Sequence, residues 1–398
     1  MSQSHDDLWR PERERFQRLA LQAAVVGFII FVAFGAIYYA SASWTVPRQF
    51  FLSYLVAFNF WLGIGLGCLV ILMLQYLTGG TWGFVLRRIL ESASRTTIVL
   101  AAAFVPVALG IRWLYTWAQP TVVKADPDLQ HLGPYLNVPF FVVRAVFYFV
   151  TWAVLGIVLC RWSAVQEEER SPRRQRWFRL LSGPGLVLYG LTITFASVDW
   201  VMSLEPHWYS TMFPVLFATS QVLTGLAFAI AILLLLGSRP PLSVFMSPAN
   251  LRDLGSLLLA FVMFWAYMSF SQFLLIWAGN LPEEIPWYLR RTRGGWMIVA
   301  VILIALHFAL PFLLLISRDI KEHPARLAAV AIGLLVMRFV DVFWWIEPAY
   351  DHELGYIFWI LDVAAVIALG GVWVWWFLWE LGKHPLIPLY DPERGVTP

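Results

Sequence analysis

The stretch Asp199-Trp-Val-Met-Ser-Leu-Glu205-Pro206 recurs in outline as Asp341-Val-Phe-Trp-Trp-Ile-Glu347-Pro348. Each copy closes a long apolar run and places an aspartate six positions before a Glu-Pro pair. A carboxylate inside the hydrocarbon core of a bilayer is costly, so an ionisable residue there is by default a functional-site hypothesis. Two such copies predict a membrane protein that is built from two related halves.

Apolar runs long enough to cross a bilayer dominate the chain. Of its 398 residues, 60% are hydrophobic and 13% are charged, whereas a soluble protein carries about a quarter charged residues. A transmembrane helix needs about 20 consecutive apolar residues. Ten runs approach or exceed this length, at residues 19–40, 52–77, 96–117, 137–160, 185–202, 212–236, 254–278, 294–316, 325–346 and 357–380. The predicted fold is therefore an all-α integral membrane protein with ten transmembrane helices, or spans.

Further likenesses between spans extend the repeat. The segment from Arg95 to Trp117-Ala118 resembles the segment from Arg252 to Trp277-Ala278. The span with Gly63, Gly65 and Gly67 likewise corresponds to the span with Gly225. Halves related in this way form pseudo-symmetric bundles about an axis along the membrane normal. We predict two pseudo-repeated four-helix bundles, at residues 52–202 and 212–346, with the first helix (19–40) and the tenth helix (357–380) outside the repeat. The alternative is that a shared membrane composition alone produces the likeness.

The distribution of basic residues predicts the orientation. With the N-terminus inside, the inner segments contain 20 of the 28 lysines and arginines, and the outer loops contain five. Basic residues accumulate on the cytoplasmic side of a membrane protein. The N-terminal segment (1–18) and the tail (381–398) are therefore predicted to be cytoplasmic, in a multi-pass protein of the cell inner membrane. No cleavable signal peptide is apparent, because the first apolar run is too long for one.

Few residues are available for cofactor chemistry. Cys68 and Cys160 lie singly in two different spans, which excludes a disulfide framework and a Cys-ligated iron–sulfur cluster. Among the seven histidines, His307 alone falls at mid-span, and paired ligands for a membrane haem are missing. The chain also lacks the phosphate-binding and dinucleotide-binding glycine motifs. We expect no metal site, no cofactor bound by this chain and no catalytic residue of its own.

Seven ionisable residues within or just beyond the spans are candidates for a proton path. The set comprises Asp199, Glu205, His307, Arg338, Asp341, Glu347 and Asp362. Arg338 and Asp341 are three positions apart, so they share a helix face and can pair, either as a structural ion pair or as part of the path. Asp199 lacks a charged residue one turn away, so its partner must come from another helix, with Arg112 and Arg144 as the candidates. Near its helix end, Arg112 is expected to extend to the interface instead. On this basis Asp341 is expected to support structure and Asp199 to relay protons.

The other ionisable candidates are assigned by position. Glu205 and Glu347 each precede a proline, which disfavours helix at the residue before it, so both are expected to be hydrated at helix exits. Asp362 should face protein or water, because a lipid-facing acid would be costly. His307 either carries protons or, as the preferred reading, is a core histidine bonded to a backbone carbonyl.

Two segments resemble a known family. The stretch Ser271-Gln-Phe-Leu-Leu-Ile-Trp-Ala-Gly-Asn-Leu-Pro-Glu-Glu-Ile-Pro-Trp287-Tyr288 and the segment Ala196–His207, together with two four-helix bundles without metal ligands, resemble the NrfD-like membrane subunits of polysulfide reductases. The likeness is greatest to the smaller NrfD-like subunit of alternative complex III. That complex is the bacterial oxidoreductase that transfers electrons from quinol to cytochrome c or another periplasmic acceptor. The likeness extends from the first span to the tenth.

The resemblance implies several partners. They are a larger NrfD-like quinol-binding subunit, a multihaem cytochrome c, an iron–sulfur protein, small membrane subunits and membrane lipids, without nucleic acid. Haem c and iron–sulfur clusters are expected in these partners, and quinone or quinol is expected nearby. The first bundle here lacks the histidine expected of the quinol site, because His131 and His207 fall in or beside outer loops. Quinol oxidation is therefore expected in the larger subunit, with Arg144, Asp199 and His207 as the weak candidates for quinone contact in this chain.

The resulting expectation is a non-catalytic subunit of a respiratory or photosynthetic electron-transfer complex, which supports the complex structurally and offers a proton path. Two alternatives belong to other classes. A secondary transporter or channel would explain the repeat and the buried charges, but broken helices at the midplane typify such folds, and Pro106 and Pro311 interrupt spans at positions that do not match. A purely structural membrane anchor would explain the missing cofactor ligands but leaves the buried acids without a role.

Overall fold

Long apolar helices make up most of the protein, as the hydropathy pattern predicts. The computed structural model describes residues 3–41, 45–169, 174–239, 242–350 and 356–388, and within these ranges it contains helices and turns but no strands. Ten helical segments of the described residues are long and apolar enough to cross a membrane. The all-α, multi-span fold is therefore confirmed.

Eighteen α-helices follow one another along the described residues, with one π-helix. The first nine are α1 (Gln3–Ser41), α2 (Thr45–Thr78), α3 (Thr81–Ser94), α4 (Thr97–Ala103), α5 (Val105–Leu109), α6 (Ile111–Leu114), α7 (Pro120–Ala125), α8 (Pro127–Leu132) and α9 (Val138–Glu169). The second nine are α10 (Arg174–Trp200), α11 (Phe213–Leu236), α12 (Pro248–Gly279), α13 (Ile285–Arg291), α14 (Trp296–Ile302), α15 (Leu310–Ile316), α16 (Arg318–Glu322), α17 (Pro324–Ile346) and α18 (Tyr356–Leu381). The π-helix (Leu303–Ala309) joins α14 to α15. Short 3-10 turns at Met202–Leu204 and Glu347–Ala349 follow α10 and α17.

Prolines interrupt spans three and eight, as the sequence predicts, with different outcomes. Span three is divided into α4, α5 and α6, with Pro106 in the first turn of α5. Span eight instead widens into the π-helix just before Pro311. Proline lacks an N–H and its ring clashes with the carbonyl four residues earlier, which here belongs to His307. The two interruptions therefore change local helix geometry without ending either span.

Helices α2 and α11 cross in close contact. A Cβ atom added to Gly67 would lie 1.9 Å from the backbone oxygen of Gln221, and one added to Gly225 would lie 2.4 Å from the carbonyl carbon of Gly67. Small residues allow membrane helices to approach this closely. Gly67 of span two therefore allows the close approach to the span of Gly225. Helices α1 and α18 pack on each other, and α18 packs on α2.

Helical structure extends further into the predicted inner segments than the sequence indicates. The N-terminal segment is helical from Gln3 and continues into span one without interruption. The predicted inner loop at residues 78–95 contains α3, whose charged residues Arg87, Arg88 and Glu91 are buried. The proline-rich end of the tail, residues 389–398, lies outside the described residues.

Candidate functional site

Asp199 lies in a saturated ion pair at the predicted outer end of α10. Arg144 of α9 donates from Nε to Oδ2 (2.9 Å) and from Nη2 to Oδ1 (2.7 Å), and the Tyr148 hydroxyl donates to Oδ2 (2.9 Å). The remaining Nη1 of Arg144 donates to the Tyr135 carbonyl (2.9 Å). Of the two predicted partners, Arg144 is therefore the one that pairs, and Arg112 is exposed, as expected for an interfacial arginine. Asp199 is not a lone acid.

Aromatic rings surround this ion pair. The guanidinium of Arg144 lies 3.9 Å from the centroid of the Tyr135 ring and 4.3 Å from that of Phe140. Trp200, next to Asp199 in the chain, stacks on Phe149 at 5.7 Å and is fully buried. Such packing lowers the local dielectric and strengthens the ion pair. Because rings enclose the pair and each donor nitrogen of Arg144 is engaged, the arrangement is suited to a structural ion pair.

Asp341 lies in a less complete ion pair in α17. Arg338 donates from Nη1 to Asp341 Oδ2 (2.5 Å), and the indole of Trp265 in α12 donates to the same oxygen (3.3 Å). The pairing predicted from the three-residue spacing is confirmed. Arg338 also lies over the ring of Trp345, at 4.4 Å from its centroid. Its Nε and Nη2 atoms are buried and have no hydrogen-bond partner in the part of the chain that the structure describes.

His307 lies in the π-helix, beside the same group of residues. Its ring stacks on Trp265 at a centroid distance of 4.2 Å and an interplanar angle of 24°. Both ring nitrogens are buried without a partner among the described residues. The expected hydrogen bond to a backbone carbonyl is therefore wrong, because the ring is oriented by stacking on Trp265. Helices of the π type are frequent at functional sites.

A cavity of about 710 Å³ adjoins this group. Asp341, Trp265 and Trp345 contribute buried wall residues, and exposed residues of α12 and the π-helix form the rim. Nine of its nineteen lining residues are aromatic, so the interior is largely apolar with a single carboxylate. The sequence did not reveal this cavity, since its walls come from α11 to α14, the π-helix and α17.

Glu205 is buried and bound by two arginines. Its carboxylate lies 2.6 Å from Arg290 Nη1 and 2.8 Å from Arg291 Nη1. The expectation of a hydrated glutamate at a helix exit is wrong here, because α13 folds over the end of α10 and brings both guanidinium groups to it. Burial lowers the pKa of Arg291, and the charge of Glu205 opposes that shift. The contact links the predicted first half of the chain to the second.

Glu347 is also buried, so the expectation of hydration is wrong for this residue as well. Gln49 Nε2 donates to Glu347 Oε2 (3.0 Å) and to the Ser53 hydroxyl (3.2 Å). The fully buried Asp362 of α18 has Glu347 and Ser53 as its polar neighbours, although neither of its oxygens meets hydrogen-bond geometry with a described donor. We call Gln49, Ser53, Glu347 and Asp362 the acid pair site. Within the described residues, no lysine or arginine forms an ion pair with either acid.

A buried ionic network occupies the opposite, predicted inner end of the bundle. Arg88 pairs with Glu91 at 2.6 Å and also with Glu167, and Arg95 pairs with Glu380 at 3.2 Å. Partial burial lowers the pKa of the neighbouring His384, and the charge of Arg88 adds to this effect. Sequence reasoning missed this network because it treated residues 78–95 as a loop.

His207 does not join Arg144 and Asp199, the other two weak candidates for quinone contact. It lies at the surface, with its Nε2 at 3.0 Å from Asp126 Oδ2 and its Nδ1 at 3.8 Å from Asp128 Oδ2. One ligand atom from each of the three residues lies within 4.8 Å of the others. Asp126 already accepts hydrogen bonds from the backbone at the start of α8, which is sufficient reason for its position.

No protein-family model matches this chain, and no curated protein matches it.

Proposed function

We propose that the chain is an integral inner-membrane subunit of a quinol-oxidising electron-transfer complex of the alternative complex III type. In this proposal its termini are cytoplasmic, and it supports the complex structurally while providing part of a proton path. Quinol is oxidised in a larger NrfD-like subunit, and electrons pass to haem c and iron–sulfur clusters of other subunits. The chain itself is not catalytic.

The acid pair site is the observation that carries the proton path. Glu347 and Asp362 are both buried, at 4% and 0% exposure. Two carboxylates side by side cannot both be charged without a cation, so such pairs share a proton. Gln49 and Ser53 make polar contacts but carry no charge, so neither side chain favours loss of the proton that the two acids share. A group of this kind can accept and release a proton.

The other candidate acids serve the structural role better. Asp199, Glu205 and Asp341 each form an ion pair with at least one arginine. An arginine stabilises the charged carboxylate and opposes its protonation. The candidates therefore divide into three ion pairs that fix helices and one acid pair that can carry protons.

The two segments that resemble the NrfD-like family lie against each other in the structure. Trp208, next to the first segment, stacks on Trp287 of the second at 4.7 Å. Glu205 pairs with Arg290 and Arg291, which follow the second segment directly. Gln272 accepts a hydrogen bond from Ser210 at 2.6 Å. Each of these contacts joins one segment to a residue that follows the other within a few positions, so the two segments lie close together in the structure.

Copurification tests the assignment to a complex. The chain, tagged and extracted in mild detergent, should copurify with c-type haem absorbance and acid-labile sulfide, since we expect neither group within the chain itself. A stable homo-oligomer that contains neither haem nor sulfide would contradict the proposal and favour the secondary transporter.

Neutralising the acid pair tests the proton path. The double variant Glu347→Gln, Asp362→Asn should assemble, because it removes buried charge without leaving an arginine unpaired. It should reduce the number of protons moved per electron during quinol turnover in proteoliposomes. The control is Glu380→Gln in the same helix α18, which removes an acid that pairs with Arg95 and Lys383. A normal proton-to-electron ratio in the double variant would exclude this site from the path.

A further inference from the structure

We propose that the acid pair site binds a sodium ion between the side chains of Glu347 and Asp362. Sodium is a hard monovalent cation, and hard cations bind to oxygen ligands such as carboxylates, amide carbonyls and hydroxyls. The same site carries the proposed proton path. A bound sodium ion requires neither a quinol-oxidising partner nor the movement of protons, so either of the two proposals can fail without the other.

The negative charge of the site is not balanced by its surroundings. Glu347 and Asp362 are buried, and no lysine or arginine of the described residues pairs with either acid. Arg48 of α2 instead lies over the Tyr350 ring, at 4.1 Å from its centroid, and donates to the Trp113 carbonyl at 3.0 Å. One proton shared between the two acids still leaves one negative charge. A buried charge without a counterion is costly, and a monovalent cation would balance it.

Acceptor oxygens at this site outnumber donors. Both carboxylate oxygens of Asp362, the Oε1 of Glu347 and the Oε1 of Gln49 are buried without a hydrogen-bond partner among the described residues. The Gln49 amide, 1% exposed, already donates from Nε2 to Glu347 and to Ser53, so its oxygen is the group that remains available. Buried polar atoms in folded proteins are normally satisfied. A cation satisfies several acceptor oxygens at once.

Three segments of the chain hold these oxygens. Gln49 and Ser53 lie one turn apart on α2, so they share a helix face. Glu347 begins the 3-10 turn that follows α17, and Asp362 lies in α18. Both α17 and α18 pack on α2. Side chains on packed helices hold a binding geometry more precisely than side chains on a loop.

The number of oxygens and the charge favour sodium over other common cations. The Ser53 hydroxyl adds one oxygen to the four acceptors without partners, whereas calcium takes about six to eight oxygen ligands. A divalent ion beside the shared proton would also leave an excess positive charge. Potassium is larger than sodium and needs a wider set of ligands. This site is compact, because Gln49 Nε2 lies 3.0 Å from Glu347 Oε2 and 3.2 Å from Ser53 Oγ.

Binding of radioactive sodium tests the proposal. The protein is purified in its natural assembly in mild detergent, washed free of sodium with choline chloride and equilibrated with the labelled ion. We expect saturable binding, with about one sodium ion per copy of this chain at the acid pair site. Unlabelled sodium chloride should displace this label, whereas potassium chloride at the same concentration should leave most of it bound.

Variants of the site locate the bound ion. The double variant Glu347→Gln, Asp362→Asn should lose this sodium ion, because it removes both negative charges. Ser53→Ala removes one neutral oxygen with little risk to folding and should weaken sodium binding about fivefold. The matched control is Glu380→Gln in α18, which removes a buried acid that already has cationic partners. This control should bind sodium like the unmodified chain.

Three outcomes would overturn the proposal. They are the absence of saturable sodium binding, binding that the double variant or Ser53→Ala leaves unchanged, and binding that potassium displaces as readily as sodium does. The proton-to-electron ratio of the double variant separates these outcomes from the proposed function. A reduced ratio without sodium binding would assign the site to protons alone. Sodium binding together with a normal ratio would support the cation site and exclude the proton path.

Discussion

Asp199 and Asp341 occupy matching places in the two copies of one sequence pattern, yet their surroundings differ. Asp199 accepts three hydrogen bonds, and all three donor nitrogens of its arginine are engaged. Asp341 accepts two hydrogen bonds on one oxygen, and its arginine retains two donors without partners among the described residues. The first site is sealed by rings, and the second adjoins a cavity. A repeat can therefore fix the position of a charge while its neighbours decide whether that charge is closed off or accessible.

The origin of the arginine accounts for part of this difference. Arg144 comes from the neighbouring helix α9 and approaches Asp199 with its planar fork, as arginine–carboxylate pairs commonly do. Arg338 lies one turn before Asp341 in the same helix and reaches it with a single nitrogen. The π-helix also widens the surroundings of Asp341, whereas Phe149 and Trp200 fill the space near Asp199.

The largest effect is expected at the sealed site. Arg144→Met should destabilise the protein by about 3–5 kcal/mol, because it leaves a buried carboxylate without its cation. The control, Arg112→Met, changes an exposed arginine and should alter stability by about 0.5 kcal/mol or less. Denaturant unfolding of the detergent-purified chain measures both. Equal stability of the two variants would show that the Arg144–Asp199 pair is unimportant for folding.

A smaller effect is expected at the open site. Arg338→Met should destabilise the protein by about 2 kcal/mol, because Asp341 retains the indole of Trp265 and has room on its cavity side to change conformation. The same unfolding assay applies. A loss as large as that of Arg144→Met would show that the cavity does not relieve the unpaired carboxylate, and the contrast between the sites would fail.

The smallest effects concern the aromatic donors. Tyr148→Phe removes a 2.9 Å hydrogen bond to Asp199 and should cost about 1.5 kcal/mol, as expected for a bond to a charged group. Trp265→Phe removes the longer 3.3 Å bond to Asp341 together with part of a buried ring. The share of the hydrogen bond is the extra loss over the same change made in Asp341→Asn, and it should be about 0.5 kcal/mol, because 3.3 Å lies beyond the usual N–H···O range. Unfolding free energies of these variants give the order. A greater hydrogen-bond share for Trp265 than for Tyr148 would reverse the assignment of sealed and open sites.

The sequence was sufficient for the fold because its signals are local. Ten apolar runs predict ten spans, and the three-residue spacing of Arg338 and Asp341 predicts their pairing. Arg144 was one of only two candidates for Asp199, because few basic residues fall within spans. Each of these inferences depends on helix periodicity or on the cost of charge in hydrocarbon.

The sequence was insufficient where distant segments meet. Glu205 and Glu347 were expected to be hydrated because each precedes a proline, but the partners that bury them lie far away in the chain. Arg290 is 85 positions from Glu205, and Gln49 is 298 positions from Glu347. The cavity has the same character, since its walls come from several helices. Only Pro311, just after the π-helix, gave a local indication of altered geometry there.

Neutralising the two aspartates in turn tests the contrast between the sealed and the open site most directly. Asp199→Asn and Asp341→Asn are identical changes at matching positions, so the difference in their unfolding free energies reports only the surroundings. The sequence alone predicted that Asp341→Asn would impair the protein more. The observed contacts predict the reverse, with Asp199→Asn less stable than Asp341→Asn by at least about 1 kcal/mol, since a saturated buried pair loses more than a partly satisfied one. An equal or larger loss in Asp341→Asn would contradict this account.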